Sequence, residues 1–144
     1  MQVRDVLKTK GGRVIAIESE ATVAEAIARL VLNNIGSLPV VDDEGRLLGI
    51  FSERDCLRGI HSRGEGFGRV KVSEVMTSNP VTCGCDDELD DVMGQMSERR
   101  IAKVPVLNNG KLVGIVSVGD VIKVMYERVH SENKHLMTYI HGTM

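Results

Sequence analysis

Ser52-Glu53-Arg54-Asp55 and Ser117-Val118-Gly119-Asp120 each set a hydroxyl three residues before a carboxylate. Each follows a short apolar run introduced by glycine, Gly49-Ile50-Phe51 and Gly114-Ile115-Val116, so each falls where a strand turns into a helix. One reading is a capping box, in which the serine hydroxyl accepts a first-turn N–H and the acid reaches back to the serine amide. The other is a ligand site. The acid is aspartate both times, whereas a capping box favours the longer Glu or Gln. An aspartate free of the cap can accept hydrogen bonds from two vicinal hydroxyls, as a ribose presents them. The helix start beside it offers unpaired N–H groups and the positive end of a dipole, which suits a phosphate. Glycine at positions 49 and 114 permits close backbone approach. Because the carboxylate repels phosphate, the two ends of the ligand must be apart: sugar on the aspartate, phosphate on serine, amides and a nearby cation. A nucleoside phosphate has that shape.

Other reactive side chains offer less. Lys103 stands just before Val104-Pro105 and can supply a cation, although a lone lysine is usually a solvated surface residue. Arg54 can act likewise or pair locally with Glu53 or Asp55. His61, His130, His135 and His141 lack the close helical spacing of a two-ligand metal site. Cys83-Gly84-Cys85 is spaced too tightly for an unstrained disulfide, and Cys56 reads as a small core residue, so reduced thiols are expected. The sequence shows no nucleophile–base pair, P-loop or metal cluster, and the two serines lack a base to activate them. Catalysis is therefore not expected, and neither is a catalytic cofactor.

The elements that must position these residues come in two copies. Val14 to Arg58 matches Pro80 to Lys123, with one residue fewer in the second hairpin turn. Identities include Ile35/Ile101, Pro39/Pro105, Val40/Val106, Gly49/Gly114, Ser52/Ser117 and Asp55/Asp120. Val23, Ala26, Ile27, Leu30 and Val31 recur at helical spacing behind the capping box Thr22-x-x-Glu25, and Leu89, Val92, Met93 and Met96 repeat the stripe. Apolar runs at 38–41 and 47–51, then 104–107 and 112–116, read as hairpins turned at Asp42-Asp43-Glu44-Gly45 and Asn108-Asn109-Gly110. A helix then begins at Ser52 and at Ser117. Short strands near 14–17 and 81–83 complete the order β-α-β-β-α, twice, an α+β fold. The expected boundaries are 1–62 for the first repeat, 63–71 for a flexible Gly-rich linker, 72–130 for the second repeat and 131–144 for a helical tail. Val3-Arg4-Asp5-Val6-Leu7 echoes Val72-Ser73-Glu74-Val75-Met76 in pattern. A unit of about 60 residues buries too little surface alone, so the two sheets should face each other and leave clefts between them.

Twice-repeated β-α-β-β-α with Gly-h-x-Ser-x-x-Asp at the last strand–helix junction (h, apolar) resembles a tandem pair of cystathionine β-synthase (CBS) domains, a Bateman module, over nearly the whole chain. Ser52-Glu53-Arg54-Asp55, Ser117-x-Gly119-Asp120-Val121-Ile122-Lys123 and Leu136-x-x-Tyr139-Ile140 further resemble small stand-alone bacterial CBS pairs. That resemblance implies binding of AMP, ADP, ATP, NAD or S-adenosylmethionine in the clefts, and a flat dimer. Carried over by position, it implies that Asp55 and Asp120 hold ribose hydroxyls and that Ser52 and Ser117 touch ribose or phosphate. Lys103 takes the place where relatives often put a phosphate-contacting Arg or His, with Pro105 beside it, and Arg54 adds a second cation. The base is expected near Ile15 in the first half and Val81 in the second. Ser37 stands in the first half where Lys103 stands in the second, so the clefts are not equivalent and Asp120 is favoured for a single site.

Composition sets the remaining expectations. The 144 residues are 42% hydrophobic and 26% charged with a formal charge of −2, a globular balance that offers no attraction to a polyanion. Trp is absent and aromatic residues make up 3%, which disfavours base stacking by a nucleic-acid binder. No apolar run is long enough to span a bilayer and the N-terminus lacks a signal-peptide core, so a cytosolic protein without membrane contact is expected. The apolar positions from Val121 to Ile140 run beyond the repeat and point to a homodimer. With no effector domain in the chain, a response must pass to a separate protein partner or through the dimer. A ligand-free structural or dimerisation module is the alternative.

Overall fold

The structure, a computed structural model, describes residues 1–11 and 13–140, with side chains through residue 131. The chain runs α1 (Val3–Lys10), β1 (Ile17–Glu18), α2 (Val23–Asn33), β2 (Ser37–Val41), β3 (Leu47–Ser52) and α3 (Glu53–Arg63). A 3₁₀ turn, η1 (Gly64–Arg69), leads to α4 (Val72–Val75) and β4 (Thr77–Ser78). The second copy follows as β5 (Cys83–Gly84), α5 (Leu89–Arg99), β6 (Lys103–Asn108), β7 (Lys111–Ser117) and α6 (Val118–Ile140). Two α+β halves result, one built on the sheet β1-β2-β3-β4 and the other on β5-β6-β7. In both, the short first strand pairs parallel and the hairpin antiparallel. The first strands start later than the sequence suggests, at Ile17 and Cys83, and β4 has no counterpart in the sequence reading.

Local chemistry explains the elements. Thr22 caps α2 through a hydrogen bond from the Glu25 amide at 3.2 Å, and Glu25 accepts from the Thr22 amide at 3.1 Å, the reciprocal arrangement of a capping box. Helices α2 and α5 both end on a left-handed residue, Asn34 and Arg100. Strand alternation then divides each hairpin between two faces. Leu38, Val40 and Phe51 point into the core beneath α2, and Val104, Val106 and Val116 into the core beneath α5. Pro39 and Pro105 lie on the opposite faces and are also fully buried, because there the two halves meet. The hairpin turns join across that junction, with Leu112 donating to the Gly45 carbonyl at 3.0 Å and Leu47 to the Gly110 carbonyl at 3.4 Å.

The opening segments are exchanged between the halves. Val3 and Val6 of α1 belong to the core of the second half, and Val72 of α4 belongs to the core of the first. Backbone hydrogen bonds fix both docks. The amides of Val3 and Arg4 donate to the carbonyls of Asp87 and Cys85, and those of Val72 and Ser73 to the carbonyls of Ala21 and Ser19. The chain leaving α1 therefore passes over the second half, and the chain leaving α4 over the first.

The linker differs from expectation as well. Residues 64–69 form the η1 turn, and Phe67 is only 3% exposed, packed on the bare backbone of Gly59 in α3. A single aromatic side chain thus pins a segment whose glycines alone suggest flexibility. Helix α6 is continuous to Ile140; the side chains of Leu136, Tyr139 and Ile140 lie outside the described residues, as does His141.

Candidate functional site

The two Ser-x-x-Asp motifs have different surroundings. In the first, Asp55 is 4% exposed and both of its oxygens are occupied. Its Oδ2 accepts from the Ser52 amide at 2.9 Å and the Ser52 hydroxyl at 3.1 Å, and its Oδ1 from the Thr77 hydroxyl at 3.1 Å. Thr77 is there because β4 pairs with β3, at Gly49↔Ser78 and Ile50↔Thr77. A Cβ placed on Gly49 would fall 2.6 Å from the Thr77 carbonyl oxygen and 2.8 Å from the Met76 sulfur. Glycine 49 thus admits the chain's own backbone where the sequence suggests a ligand. Arg54 is exposed on α3 and Val81 is half-buried at the approach to β5.

The second motif borders a cavity, although a Cβ on Gly114 would also fall 2.6 Å from the Leu7 side chain. Between the halves lies a cavity of about 300 Å³ with apolar walls from Leu7, Ile15, Ile35 and Ile115. Its polar edge holds Ser37, Ser117, Lys10, Arg13 and Lys103. Ser37 and Lys103 meet here because each begins the inner strand of its hairpin. Ile15 packs against the core of the first half and also lines this cavity together with Ser117. The exchange of openings brings Gly11, Arg13, Val14 and Ile15 to this cavity beside β7. Pro105 is fully buried one alternation beyond Lys103 and pairs with Ile115, so it supports the cavity floor.

Asp120 does not face this cavity directly. Its Oδ2 accepts from the Ser117 amide at 2.9 Å and from the Lys10 ammonium at 2.8 Å, and its own amide donates to the Ser117 hydroxyl at 3.1 Å. Both motifs are thus helix caps, but they differ in what remains. Asp120 Oδ1 carries no protein partner among the described residues, whereas Asp55 is saturated. The Asp120 carboxyl group borders a neighbouring hollow of about 220 Å³, and Lys10 lines both spaces. Burial pushes the Asp120 carboxyl up, but the Lys10 hydrogen bond, the Ser117 amide and hydroxyl, and the Lys10 charge together hold it below its ordinary value. It is ionised at neutral pH. Lys10 and Arg13 line the inter-repeat cavity without any motif to mark them in the sequence, and only the docking of α1 on the second half brings them in.

The cysteines are free thiols, and burial, then the charges of Asp87 and Cys85, push Cys83 up to about 11. It stays protonated at neutral pH, which leaves it a poor nucleophile. Among the described residues no group of three His, Cys, Asp or Glu is placed to hold a metal ion, and no helix is long and apolar enough to cross a membrane.

Comparison with known proteins agrees with this architecture. The family model described as CBS domain matches twice, at residues 3–62 and 72–127. The chain is 32% identical over 153 residues to the methylated protein MJ0556 of Methanocaldococcus jannaschii, covering 99% of this chain and 84% of that protein. The solved CBS-domain containing protein ATU1752 from Agrobacterium tumefaciens superposes with a TM-score of 0.78 at 37% identity, over 87% of this chain and 99% of that one. The CBS domain pair of protein MJ0100, solved in complex with 5′-methylthioadenosine and S-adenosyl-L-methionine, superposes with a TM-score of 0.75 at 29% identity, over 89% of this chain and 98% of that one. With both copies matched, the exchanged openings in place and a cleft between the halves, the chain belongs to the CBS-domain family, as a tandem pair.

Proposed function

We propose that the chain is a regulatory sensor that binds one adenine nucleotide, AMP, ADP, ATP or NAD, in the cleft lined by Ile15, Ser37, Lys103 and Ser117. The observation that carries this reading is the cavity itself, about 300 Å³, with apolar walls and three cationic side chains at its edge. That size is at the lower end for small-molecule sites, and the hollow beside Asp120 extends it. The similar MJ0100 pair was solved with two adenosine-containing ligands. In this arrangement the base lies against Ile15 and Ile35, the ribose reaches Asp120, and the phosphate meets Lys103 and the helix start at Ser117. Ser52, Arg54 and Asp55 belong to the first motif, where β4 pairs with β3 and Thr77 already occupies Asp55, and neither they nor Val81 line this cleft.

No catalytic role is proposed. The Ser117 hydroxyl is held in a helix cap with Asp120, whose carboxylate is tied to Lys10, and ligand binding alone suffices for a sensor. A nucleotide that binds only the folded chain raises its melting temperature, by the equivalent of about 2.7 kcal/mol at a hundredfold excess over Kd. A melting point unmoved by millimolar AMP, ADP, ATP and NAD would instead support the ligand-free module.

The sensor acts as a homodimer in this reading. Val118, Ile122, Tyr126 and Val129 are all exposed along one side of α6, and Val31, Leu32, Leu57 and Ile60 are exposed on α2 and α3. Apolar surface of this extent at helical spacing marks an interface. Sedimentation at micromolar concentration is expected to give twice the chain mass; a monomer would remove this part. The signal then travels through the dimer or to a protein effector, in proportion to the ligand's differential affinity for two arrangements.

A further inference from the structure

Resting on the nucleotide reading above, we infer that Lys10 is a displaceable gate that makes the site selective for adenosines carrying a phosphate. Its ammonium is anchored twice, to Asp120 Oδ2 at 2.8 Å and to the Ile115 carbonyl at 2.9 Å. It is also the residue that lines both the inter-repeat cavity and the hollow of Asp120, so its side chain is the partition between them. A ribose in the main cavity cannot reach Asp120 while Lys10 stands there.

Charge decides which ligand can move it. Swinging Lys10 away from Asp120 gives up an ion pair in a half-buried place, where the Lys10 side chain is 37% and the Asp120 side chain 21% exposed. A nucleotide compensates both sides of that loss: its ribose hydroxyls satisfy Asp120, and its phosphate receives the released ammonium. Arg13 and Lys103 border the same cavity, and among the described residues no acid lines it, so the phosphate meets cations there. An adenosine derivative with a neutral or cationic 5′ group offers Asp120 the same ribose and gives Lys10 nothing. Such a ligand must leave the ammonium unpaired near the cavity mouth. Lys10 is therefore a specificity-determining residue: it excludes adenosines without phosphate while the site is empty and holds the phosphate once the site is filled.

The test is a pair of calorimetric titrations, AMP and 5′-methylthioadenosine, against the unaltered chain, Lys10→Met and Lys10→Arg. Methionine keeps the length and apolar stem without the charge, and the exposed end of α1 tolerates it; circular dichroism checks the fold. For the unaltered chain AMP is expected to bind at least about tenfold more tightly than 5′-methylthioadenosine, the scale of one charge-assisted hydrogen bond. In Lys10→Met the AMP affinity falls and the 5′-methylthioadenosine affinity rises, so the preference collapses; Lys10→Arg keeps it. An unchanged preference in Lys10→Met, or a tighter grip on 5′-methylthioadenosine by the unaltered chain, overturns the gate and leaves the adenosine site standing. Failure of both ligands to bind the unaltered chain overturns the gate and the nucleotide reading together.

Discussion

Asp120→Ala is expected to weaken nucleotide binding by well over tenfold, whereas Asp55→Asn changes it by less than about twofold. The two carboxylates hold equivalent places in the repeat, so only their surroundings can separate them. Asp120 has an unpartnered Oδ1 among the described residues and a competitor, Lys10, that a ligand can displace. Two ribose hydroxyls on an ionised carboxylate make charge-assisted hydrogen bonds of about 1.5–3 kcal/mol each, and every 1.4 kcal/mol is about tenfold in affinity. Asp55 is enclosed by β4, with the Thr77 hydroxyl and the Ser52 amide and hydroxyl already on its oxygens. Its replacement should lower stability, so the titration belongs well below the melting temperature of that variant. Equal losses at the two positions would contradict the asymmetry of the clefts.

Phe67→Ala is expected to destabilise the chain by about 3–5 kcal/mol, the range for emptying a buried aromatic site. A chain of this size loses very roughly 3 °C of melting temperature per kcal/mol, so the fall is on the order of 10 °C. Gly59→Ala probes the same contact from the other side. Its Cβ would fall 2.0 Å from the Phe67 ring, in a helix where alanine is otherwise the better residue. The ring must leave, and a similar loss follows. Combined, the two substitutions cost less than their sum, because removing the ring removes the clash. If 64–69 were a free linker, each variant would melt within about 0.5 kcal/mol of the parent.

The sequence made the repeat, both hairpins, the capped helices and the motif serines and aspartates legible, because each is a local pattern of period, cap or turn. Ser117, Lys103 and Ile15, each singled out in the sequence, line one cavity. What stayed hidden is non-local. Val3-x-x-Val6 and Val72-x-x-Val75 have the same pattern, so nothing in the residues says which core each joins; the exchange is decided by docking. That Ile15 lines a cavity with Ser117 follows from the same exchange, which no local pattern around Ile15 announces. Strand β4 is two residues long, too short for periodicity to register, and yet its pairing with β3 sets the Thr77 hydroxyl on Asp55. Lys10 and Arg13 are ordinary surface cations in the sequence. The order of the linker had one visible signal, Phe67, one of only two phenylalanines in the chain, standing among glycines.

The most direct measurement of the central claim is the number of AMP molecules bound per chain, by equilibrium dialysis at saturating ligand. One per chain, lost in Asp120→Ala and retained in Asp55→Asn, is the predicted result. Two equivalent molecules per chain, none, or a single one that survives Asp120→Ala would contradict it.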